Sequence, residues 1–420
     1  MTKTRDERFE YLGEARGSEI EGASNRPRLK GGERARPPRR GVVPTEQERM
    51  SNLLPTLEVC DVPKGAGTAP VVFMLAGFPD DHSVFAKLAD DLKRTHKVIV
   101  ACLPLYDQTS LKEGQSDYYS VEEVLFRLEA TVYSKTDPGQ KVTLVIHDFG
   151  CPFGYHFAFL HPDKVDRLVG LDIGCTNLAR PAEKGSRHRY KLEKFPELPE
   201  GPEPPRTKDK LNQLFYQLYF SFAYLFGRKV NYAVGTALLR GFIKCMNLFR
   251  FLNTDPKSKA ARDLKDVRCW HAYPYWALWS KILFRPKSYM YTHTYESQYT
   301  SSQGKAEGKQ MRRAHGHTDA HSLFLFLSLT KVASGYTGLI PVWMPMPKCD
   351  TLFLYGKRKR IMFHNNCFLK YLKDTPGCAA MGVDGGHWMF LDKPDFCAKV
   401  IRDFMDGIVY NYADTIPPKM

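Results

Sequence analysis

Three titratable residues each follow an apolar run that is typical of a buried strand. Asp148 comes directly after VTLVIH, Asp172 follows RLVGL, and His387 follows AAMGV and a short turn. In chain order they are a candidate nucleophile, a candidate acid and a candidate base, which is the set of groups that nucleophilic catalysis uses. Each aspartate also has a simpler interpretation, because Asp is favoured at helix N-caps and in turns.

Strands alternate with helices in two parts of the chain, residues 51–176 and 347–420. The strands are continuous apolar runs, such as APVVFML and KVIVACLPL, and this pattern is typical of a parallel sheet covered by helices on both faces. Functional groups in such sheets lie at the carboxyl ends of the strands. We therefore expect Asp148, Asp172 and His387 to meet at one edge of a sheet.

Residues 177–346 interrupt this alternation. They combine a proline-rich segment, FPELPEGPEPP, with long aromatic stretches of helical character such as LNQLFYQLYFSFAYLF. An α/β core interrupted in this way predicts a helical lid over the core. Residues 1–50 are rich in Gly, Pro, Arg and Glu and have almost no apolar periodicity, so they are predicted to form a disordered basic tail.

The basic charge of the chain is concentrated in the predicted lid. The 420 residues have a formal net charge of +15, and residues 177–346 hold 27 Lys and Arg against 12 Asp and Glu. A negatively charged partner would therefore meet the lid first, and the amphipathic stretch from Leu211 to Phe226 suggests peripheral contact with an anionic membrane surface. No pattern indicates specific nucleic-acid binding.

The location of the protein is predicted from what the sequence lacks. There is no uncharged apolar stretch of about 18 residues, no secretory signal pattern, and no CxxC pair among the ten cysteines. These observations predict a cytoplasmic protein with reduced thiols. A cluster of His315, His317 and His321 lies in a polar loop without a cysteine partner, which favours a solvated loop over a metal site.

Four motifs, AGFPDD, HDFG, LDIG and GGHWMFLDKP, occur in this order along the chain. With them the chain resembles the α/β-hydrolase superfamily over residues 55–176 and 347–410, specifically the branch of epoxide hydrolases and haloalkane and haloacetate dehalogenases. The resemblance implies the α/β-hydrolase fold, a mostly parallel central sheet with helices on both faces, with a large helical lid insertion.

The resemblance also implies a role for each site residue. Asp148 would stand at a sharp turn between strand and helix, the nucleophile elbow, and form an alkyl ester with the substrate. His387 would activate the water that hydrolyses the ester, and the backbone N–H groups of Phe78 and Phe149 would form the oxyanion hole. The reaction would need no cofactor and no metal.

The carboxylate that orients His387 can follow either of two strands in the family. Most relatives place it after the strand that ends here in FLYG, where this chain has the basic run KRKR, residues 357–360. Asp172 stands at the alternative position, which haloacetate and some haloalkane dehalogenases use, and it is the predicted partner; Asp384 is a competing candidate. The basic run itself is predicted to be a solvated loop, although its place beside the site leaves contact with an anionic group open.

The substrate is predicted by elimination among the family's reactions. Epoxide hydrolases use lid tyrosines to donate a hydrogen bond to the epoxide oxygen, and Tyr273 and Tyr275 are the candidates here. Dehalogenases need N–H donors for the halide, which Phe149 cannot supply from its side chain. The prediction is an epoxide hydrolase-like enzyme acting on an apolar small molecule, and a haloalkane dehalogenase-like hydrolase is the alternative.

Two positions depart from the family pattern. Ile146 stands where a small residue is usual, because strand and helix cross closely there, and Ala76 replaces the first histidine of the HGxP turn. Neither change removes a catalytic atom. They keep open a third hypothesis, in which the fold is catalytically inactive and binds anionic membranes or a partner through its basic lid.

Overall fold

A computed structural model describes residues 53–62, 69–113, 115–175, 177–181, 190–194, 207–245, 262–284, 344–359, 362–364 and 366–408. The chain divides into two units, Met1–Glu46 and Gln47–Met420, and all described residues belong to the second. The predicted disordered tail and the loop that carries His315, His317 and His321 lie outside the described residues.

A seven-stranded sheet forms the centre of the described structure, and two further strands form a separate sheet. The strands, numbered in chain order, are β1 (Thr56–Val59), β2 (Val71–Leu75), β3 (Lys97–Ala101), β4 (Val142–His147), β5 (Val165–Leu171), β6 (Asn177–Pro181), β7 (Tyr190–Lys194), β8 (Asp350–Gly356) and β9 (Ala379–Val383). The large sheet has the order β1-β3-β2-β4-β5-β8-β9, and β6 pairs with β7. Only β1 runs antiparallel in the large sheet.

Nine α-helices connect or follow the strands in the described part of the chain. They are α1 (Ala86–Leu92), α2 (Val121–Lys135), α3 (Gly150–Leu160), α4 (Thr207–Lys229), α5 (Tyr232–Cys245), α6 (Tyr273–Phe284), α7 (Asn366–Asp374), α8 (Met389–Asp392) and α9 (Pro394–Met405). Short 3-10 helices span His82–Phe85, Leu264–Asp266 and Cys269–Ala272. None of these helices is long and apolar enough to cross a membrane.

The apolar runs form the central strands because both faces of the sheet are covered. All five residues of β2 are buried, and five of the six residues of β4 are buried. A strand covered on both faces has no solvent side, so its sequence does not alternate. The predicted parallel sheet is confirmed, whereas the antiparallel edge strand β1 and the β6–β7 hairpin were not predicted.

Helices α4, α5 and α6 lie in the predicted lid segment, between β7 and β8 in sequence. Their contact with the core is aromatic: the ring of Phe78, in the turn after β2, lies 5.3 Å from the rings of both Phe220 on α4 and Tyr275 on α6. Edge-to-face and tilted aromatic contacts of this length bury large apolar areas. Helices α4 and α6 therefore pack directly over the carboxyl end of β2.

Candidate active site

Asp148 occupies a sharp turn between β4, which ends at His147, and α3, which begins at Gly150. Its φ angle is +50°. Residues other than glycine seldom adopt this conformation, and those that do are concentrated at functional sites. A second backbone closes on this turn: a Cβ at Gly77 would lie 2.2 Å from the backbone nitrogen of Phe149. Only glycine at position 77 allows the turn after β2 to come so near.

This close approach brings two backbone donors onto one carboxylate oxygen. The N–H groups of Phe78 and Phe149 donate to Oδ1 of Asp148 over 2.7 and 2.6 Å. Short hydrogen bonds to an ionised acceptor are roughly twice as strong as neutral ones. Both residues predicted as backbone donors thus converge on the predicted nucleophile.

His387 lies between Asp172 and Asp148. Its Nδ1 is 2.5 Å from Oδ2 of Asp172, and its Nε2 is 3.2 Å from Oδ2 of Asp148 but not aligned for a hydrogen bond. The competing candidate, Asp384, is exposed and pairs with Arg358. The structure therefore brings His387 to Asp172 and leaves Asp384 at the surface.

The two carboxylates change the protonation of His387. Burial alone would lower the pKa of this histidine, but its hydrogen bond to Asp172 and the close negative charges of Asp148 and Asp172 outweigh burial and raise the pKa to about 9. Burial would likewise raise the pKa of Asp172, and the charges of Lys359 and His387 reverse that shift. The site at rest is therefore an imidazolium between two carboxylates.

The basic run after β8 is only partly a solvated loop. Lys357 and Arg358 are exposed as predicted, but Lys359 is buried and its Nζ lies 2.5 Å from Oδ1 of Asp172. The prediction of solvation is wrong for Lys359, and the alternative of contact with an anionic group holds. The reason is local: the turn leaving β8 directs the third residue of the run back over the sheet edge, where a buried carboxylate is available to pair with it.

The model of the α/β-hydrolase fold family matches residues 70–394. The chain belongs to the α/β-hydrolase fold family. It is 30% identical over 115 residues to epoxide hydrolase 2 from Caenorhabditis elegans, and 30% identical over 107 residues to fluoroacetate dehalogenase from a Burkholderia species.

These alignments cover limited parts of this chain and of each relative. They span 27% and 26% of this chain and 31% and 35% of the two relatives, so the chain matches about a third of the length of each. Among solved structures, a haloalkane dehalogenase loop variant from Bradyrhizobium elkanii has a TM-score of 0.46 and 14% identity, over 84% of this chain and 92% of that one. The match to the family model confirms the predicted superfamily, and the two relatives are an epoxide hydrolase and a dehalogenase.

In this α/β-hydrolase, a second histidine supports the first. His147 is fully buried, its Nε2 lies 3.2 Å from the carbonyl oxygen of His387, and the two rings are 4.5 Å apart. Burial and the charge of His387 lower the pKa of His147 to about 3. It is therefore neutral, and its N–H donates to the backbone that carries His387.

Asp80 and Trp388 form a further buried pair that the sequence did not reveal. The indole N–H of Trp388, the residue after His387, donates to Oδ2 of Asp80 over 2.7 Å. Burial raises the pKa of Asp80 to about 7, with the charge of Asp148 adding to the shift and the Trp388 bond opposing it. This contact ties the turn after β2 to the loop that presents His387.

The two predicted lid tyrosines point to different places. The ring of Tyr275 lies 4.6 Å from that of Phe149, above the turn that carries Asp148. Tyr273 instead packs against Tyr106 and Tyr119. Beside Tyr275, with ring centroids 6.3 Å apart, lies Tyr216 of α4, which the sequence analysis did not select.

The bulky Ile146 is accommodated by a glycine on the facing helix. A Cβ at Gly154 of α3 would lie 2.3 Å from Cγ2 of Ile146. The family usually keeps this crossing close with a small residue on the strand. Here the small residue is on the helix, so the departure at position 146 leaves the elbow intact.

This complementarity can be tested by exchange. Gly154→Ala should lower the free energy of unfolding by about 1–3 kcal/mol, because overpacking a closed core costs that much. Adding Ile146→Ala should recover part of the loss, since it removes the clashing group, and Ile146→Ala alone should be destabilising by about 2–4 kcal/mol through its cavity. Urea unfolding of the three variants measures the coupling; strict additivity would contradict the contact.

Among the described residues, no group of three or more His, Cys, Asp or Glu side chains has an arrangement that could hold a metal ion.

Proposed function

We propose that this α/β-hydrolase is an epoxide hydrolase-like enzyme that works through an ester between Asp148 and an apolar small molecule. The observation that carries the proposal is that the two carboxylate oxygens of Asp148 have different neighbours. Oδ1 already accepts two backbone N–H groups, while Oδ2 faces Nε2 of His387. Oδ2 is therefore the attacking oxygen, and the ester carbonyl forms with Oδ1 inside the oxyanion hole.

The first half of the reaction opens the epoxide. Oδ2 of Asp148 forms a bond to a ring carbon as that carbon's bond to the epoxide oxygen breaks, and the released alkoxide takes a proton from a donor above the site. In the second half, water gives a proton to His387 and attacks the carbonyl carbon of Asp148. Collapse of the tetrahedral intermediate passes the proton of the added hydroxyl to the departing alkoxide, which releases the diol and restores the carboxylate. His387 keeps the proton taken from water and is again the imidazolium of the resting site.

The charge of Asp148 determines when His387 can act as a base. At rest both carboxylates raise its pKa to about 9, so it is protonated at neutral pH. Esterification removes the charge of Asp148, and the pKa of His387 then falls because one of its two anionic neighbours is gone. His387 can then give its proton to the donor that protonated the alkoxide, which restores that donor. The base is thus released only after the ester has formed, which is when water must be activated.

Tyr216 and Tyr275 are the proposed donors to the epoxide oxygen. Both are buried, they lie side by side, and Tyr275 packs on the residues that form the oxyanion hole. Burial raises the pKa of Tyr275, with Tyr216 and the charge of Asp148 adding to the shift, so its hydroxyl keeps the proton that an alkoxide needs. The indole of Trp388 is already bonded to Asp80, which leaves halide stabilisation with less support.

Single phenylalanine substitutions test this pair. Tyr216→Phe and Tyr275→Phe should each slow ring opening by about 10²-fold, within the range for loss of a positioned proton donor. Tyr273→Phe is the matched control, because this tyrosine lies on the same segment but packs against Tyr106 and Tyr119. Single-turnover rates with styrene oxide measure the effect; an equal loss in Tyr273→Phe would contradict the assignment.

A single turnover in H₂¹⁸O tests the ester itself. With enzyme in excess over styrene oxide, water attacks the carbonyl carbon, so the label should enter the carboxylate of Asp148 and the first diol should carry none. Peptide mass spectrometry locates the label. Label found in the diol would mean direct attack of water on the substrate, and no diol from any epoxide together with no halide from any haloalkane would support the inactive alternative.

We also propose that residues 177–346 act as the lid and that α4 and α5 rest on an anionic membrane surface. Phe215 and Phe222 of α4 are 55% and 51% exposed, and Val230 and Val234 are 66% and 45% exposed. Residues 207–245 contain six basic residues and one acidic residue. An exposed apolar face with positive charge at its borders is the pattern of a helix that lies in the membrane interface.

Vesicle sedimentation tests the membrane surface. The protein should sediment with phosphatidylserine-containing vesicles, less with phosphatidylcholine alone, and less again at high salt. Phe215→Ser combined with Phe222→Ser should abolish binding, whereas the control Phe396→Ser, at an exposed position of α9, should not. Equal binding by the double variant would reject this surface.

A further inference from the structure

Asp172 is held by two cationic groups in a part of the site that is closed to solvent. Oδ1 lies 2.5 Å from Nζ of Lys359, and Oδ2 lies 2.5 Å from Nδ1 of His387. The side chains of Lys359 and Asp172 are fully buried and that of His387 is 1% exposed. The backbone N–H of Gly356 is a third donor to the carboxylate and the second on Oδ1.

Lys359 is placed to act through Asp172. Its Nζ lies 4.9 Å above the ring of Phe363, and that ring lies edge-on to His387 at 5.8 Å. Phe363 and Asp172 thus stand beside both cations. A buried lysine is expensive unless it is paired, so an uncharged residue would have been simpler if this position served packing alone.

We propose that Lys359 is a positioning residue that limits how strongly Asp172 holds the proton of His387. One carboxylate shared by two cations binds each less tightly than it would bind one alone, and the three charges fix the orientation of the Asp172 side chain. The inference rests on the proposed role of His387 as the base.

The sign of the effect follows from the charges that face His387. Asp172 and Asp148 favour its protonated form, whereas a cation on Asp172 disfavours it. Removing the charge of Lys359 removes the repulsion between two buried cations that share Asp172. The Asp172–His387 pair therefore keeps its proton to higher pH. The other titratable groups near His387 are His147 and Asp80, and His364 lies beyond Asp172.

The consequence for turnover lies in the second half of the reaction. The esterified enzyme needs a neutral His387, and Asp172 without Lys359 would keep the imidazolium protonated after Asp148 had lost its charge. Lys359 therefore matters most when water is activated. Ring opening by Asp148 does not require His387 to lose a proton.

The test compares three substitutions in an Asp148→Asn background, where a neutral amide stands in for the ester. Lys359→Gln removes the charge but keeps an N–H donor for Asp172, and Lys359→Met removes both. Lys357→Met is the matched control, because it removes the same charge from an exposed position two residues away. The measurement is the titration midpoint of His387 by ¹⁵N NMR, assigned by its loss in a His387→Gln protein.

We expect the midpoint to rise by about one pH unit in both Lys359 variants and to stay in place in Lys357→Met. With Asp148 present, the pH profile of ester hydrolysis should move upwards by the same amount. An unchanged midpoint in Lys359→Gln would overturn the proposal, as would an equal rise in Lys357→Met. The titration uses no substrate, so its result stands apart from any failure to detect the ester.

Discussion

Replacing His387 with glutamine should lower steady-state turnover by about 10²–10⁴-fold, the range for loss of a positioned general base, while Asp148 still attacks the substrate. Attack needs the carboxylate and the alkoxide donors, and none of these is removed. Hydrolysis needs the imidazole, whose Nε2 lies 3.2 Å from Oδ2 of Asp148. The ester should therefore accumulate to about one equivalent of enzyme.

Mass spectrometry of the Asp148 peptide measures this accumulation. The His387→Gln protein would be incubated with a panel of epoxides and haloalkanes, and the mass of the adduct would separate the two classes, because only an epoxide leaves its oxygen in the adduct. The matched control is the Asp148→Ala and His387→Gln double variant, which should form no adduct. Diol formation by His387→Gln at the rate of the unsubstituted protein would show that His387 is not the base.

The parallel core and its carboxyl edge could be predicted because their signals are local. Each central strand is an apolar run, and Asp148, Asp172 and His387 each follow one. Since β4, β5, β8 and β9 are neighbours in the sheet, three residues far apart in sequence meet at one edge. The choice of Asp172 over Asp384 rested on the family resemblance, because the sequence alone could not show which carboxylate His387 reaches.

Lys359 could not be predicted because its sequence signal indicates a different environment. In a run of four cations, each residue looks solvated, and three-dimensional proximity alone singles out the one that turns inward to Asp172.

Tyr216 could not be predicted for a different reason. On α4, Tyr216, Phe220 and Tyr224 are buried while Phe215 and Phe222 are exposed, and two equally aromatic faces give the sequence no means of deciding which one meets the core.

The glycine at position 154 shows how a departure from a family pattern can be misleading in isolation. Ile146 alone suggests a damaged elbow, because strand and helix should cross closely there. The compensating residue lies eight positions later and belongs to another element, α3, whose backbone passes over Ile146. The large side chain of Ile146 fits only because residue 154 has no side chain.

Asp172→Asn should lower both activity and stability. Activity should fall about 10³–10⁴-fold, because an amide can neither hold the imidazole in the required tautomer nor stabilise its charged form. The free energy of unfolding should fall by about 3–5 kcal/mol, since Lys359 is left as a buried charge without its partner. The first effect acts through His387 and the second through Lys359, on opposite oxygens of one carboxylate.

Asp384→Asn is the matched control. It removes the same charge from the other candidate partner of His387, which in the structure pairs with Arg358 at the surface. It should change activity by less than about twofold and stability by less than about 1 kcal/mol. Diol formation and urea unfolding measure the two effects. Combining Asp172→Asn with Lys359→Met should recover stability, because the unpaired lysine is gone, but not activity, because His387 still lacks its carboxylate. Recovery of activity in that double variant would mean that Asp172 serves only to neutralise Lys359, and the role of orienting the base would have to be assigned elsewhere.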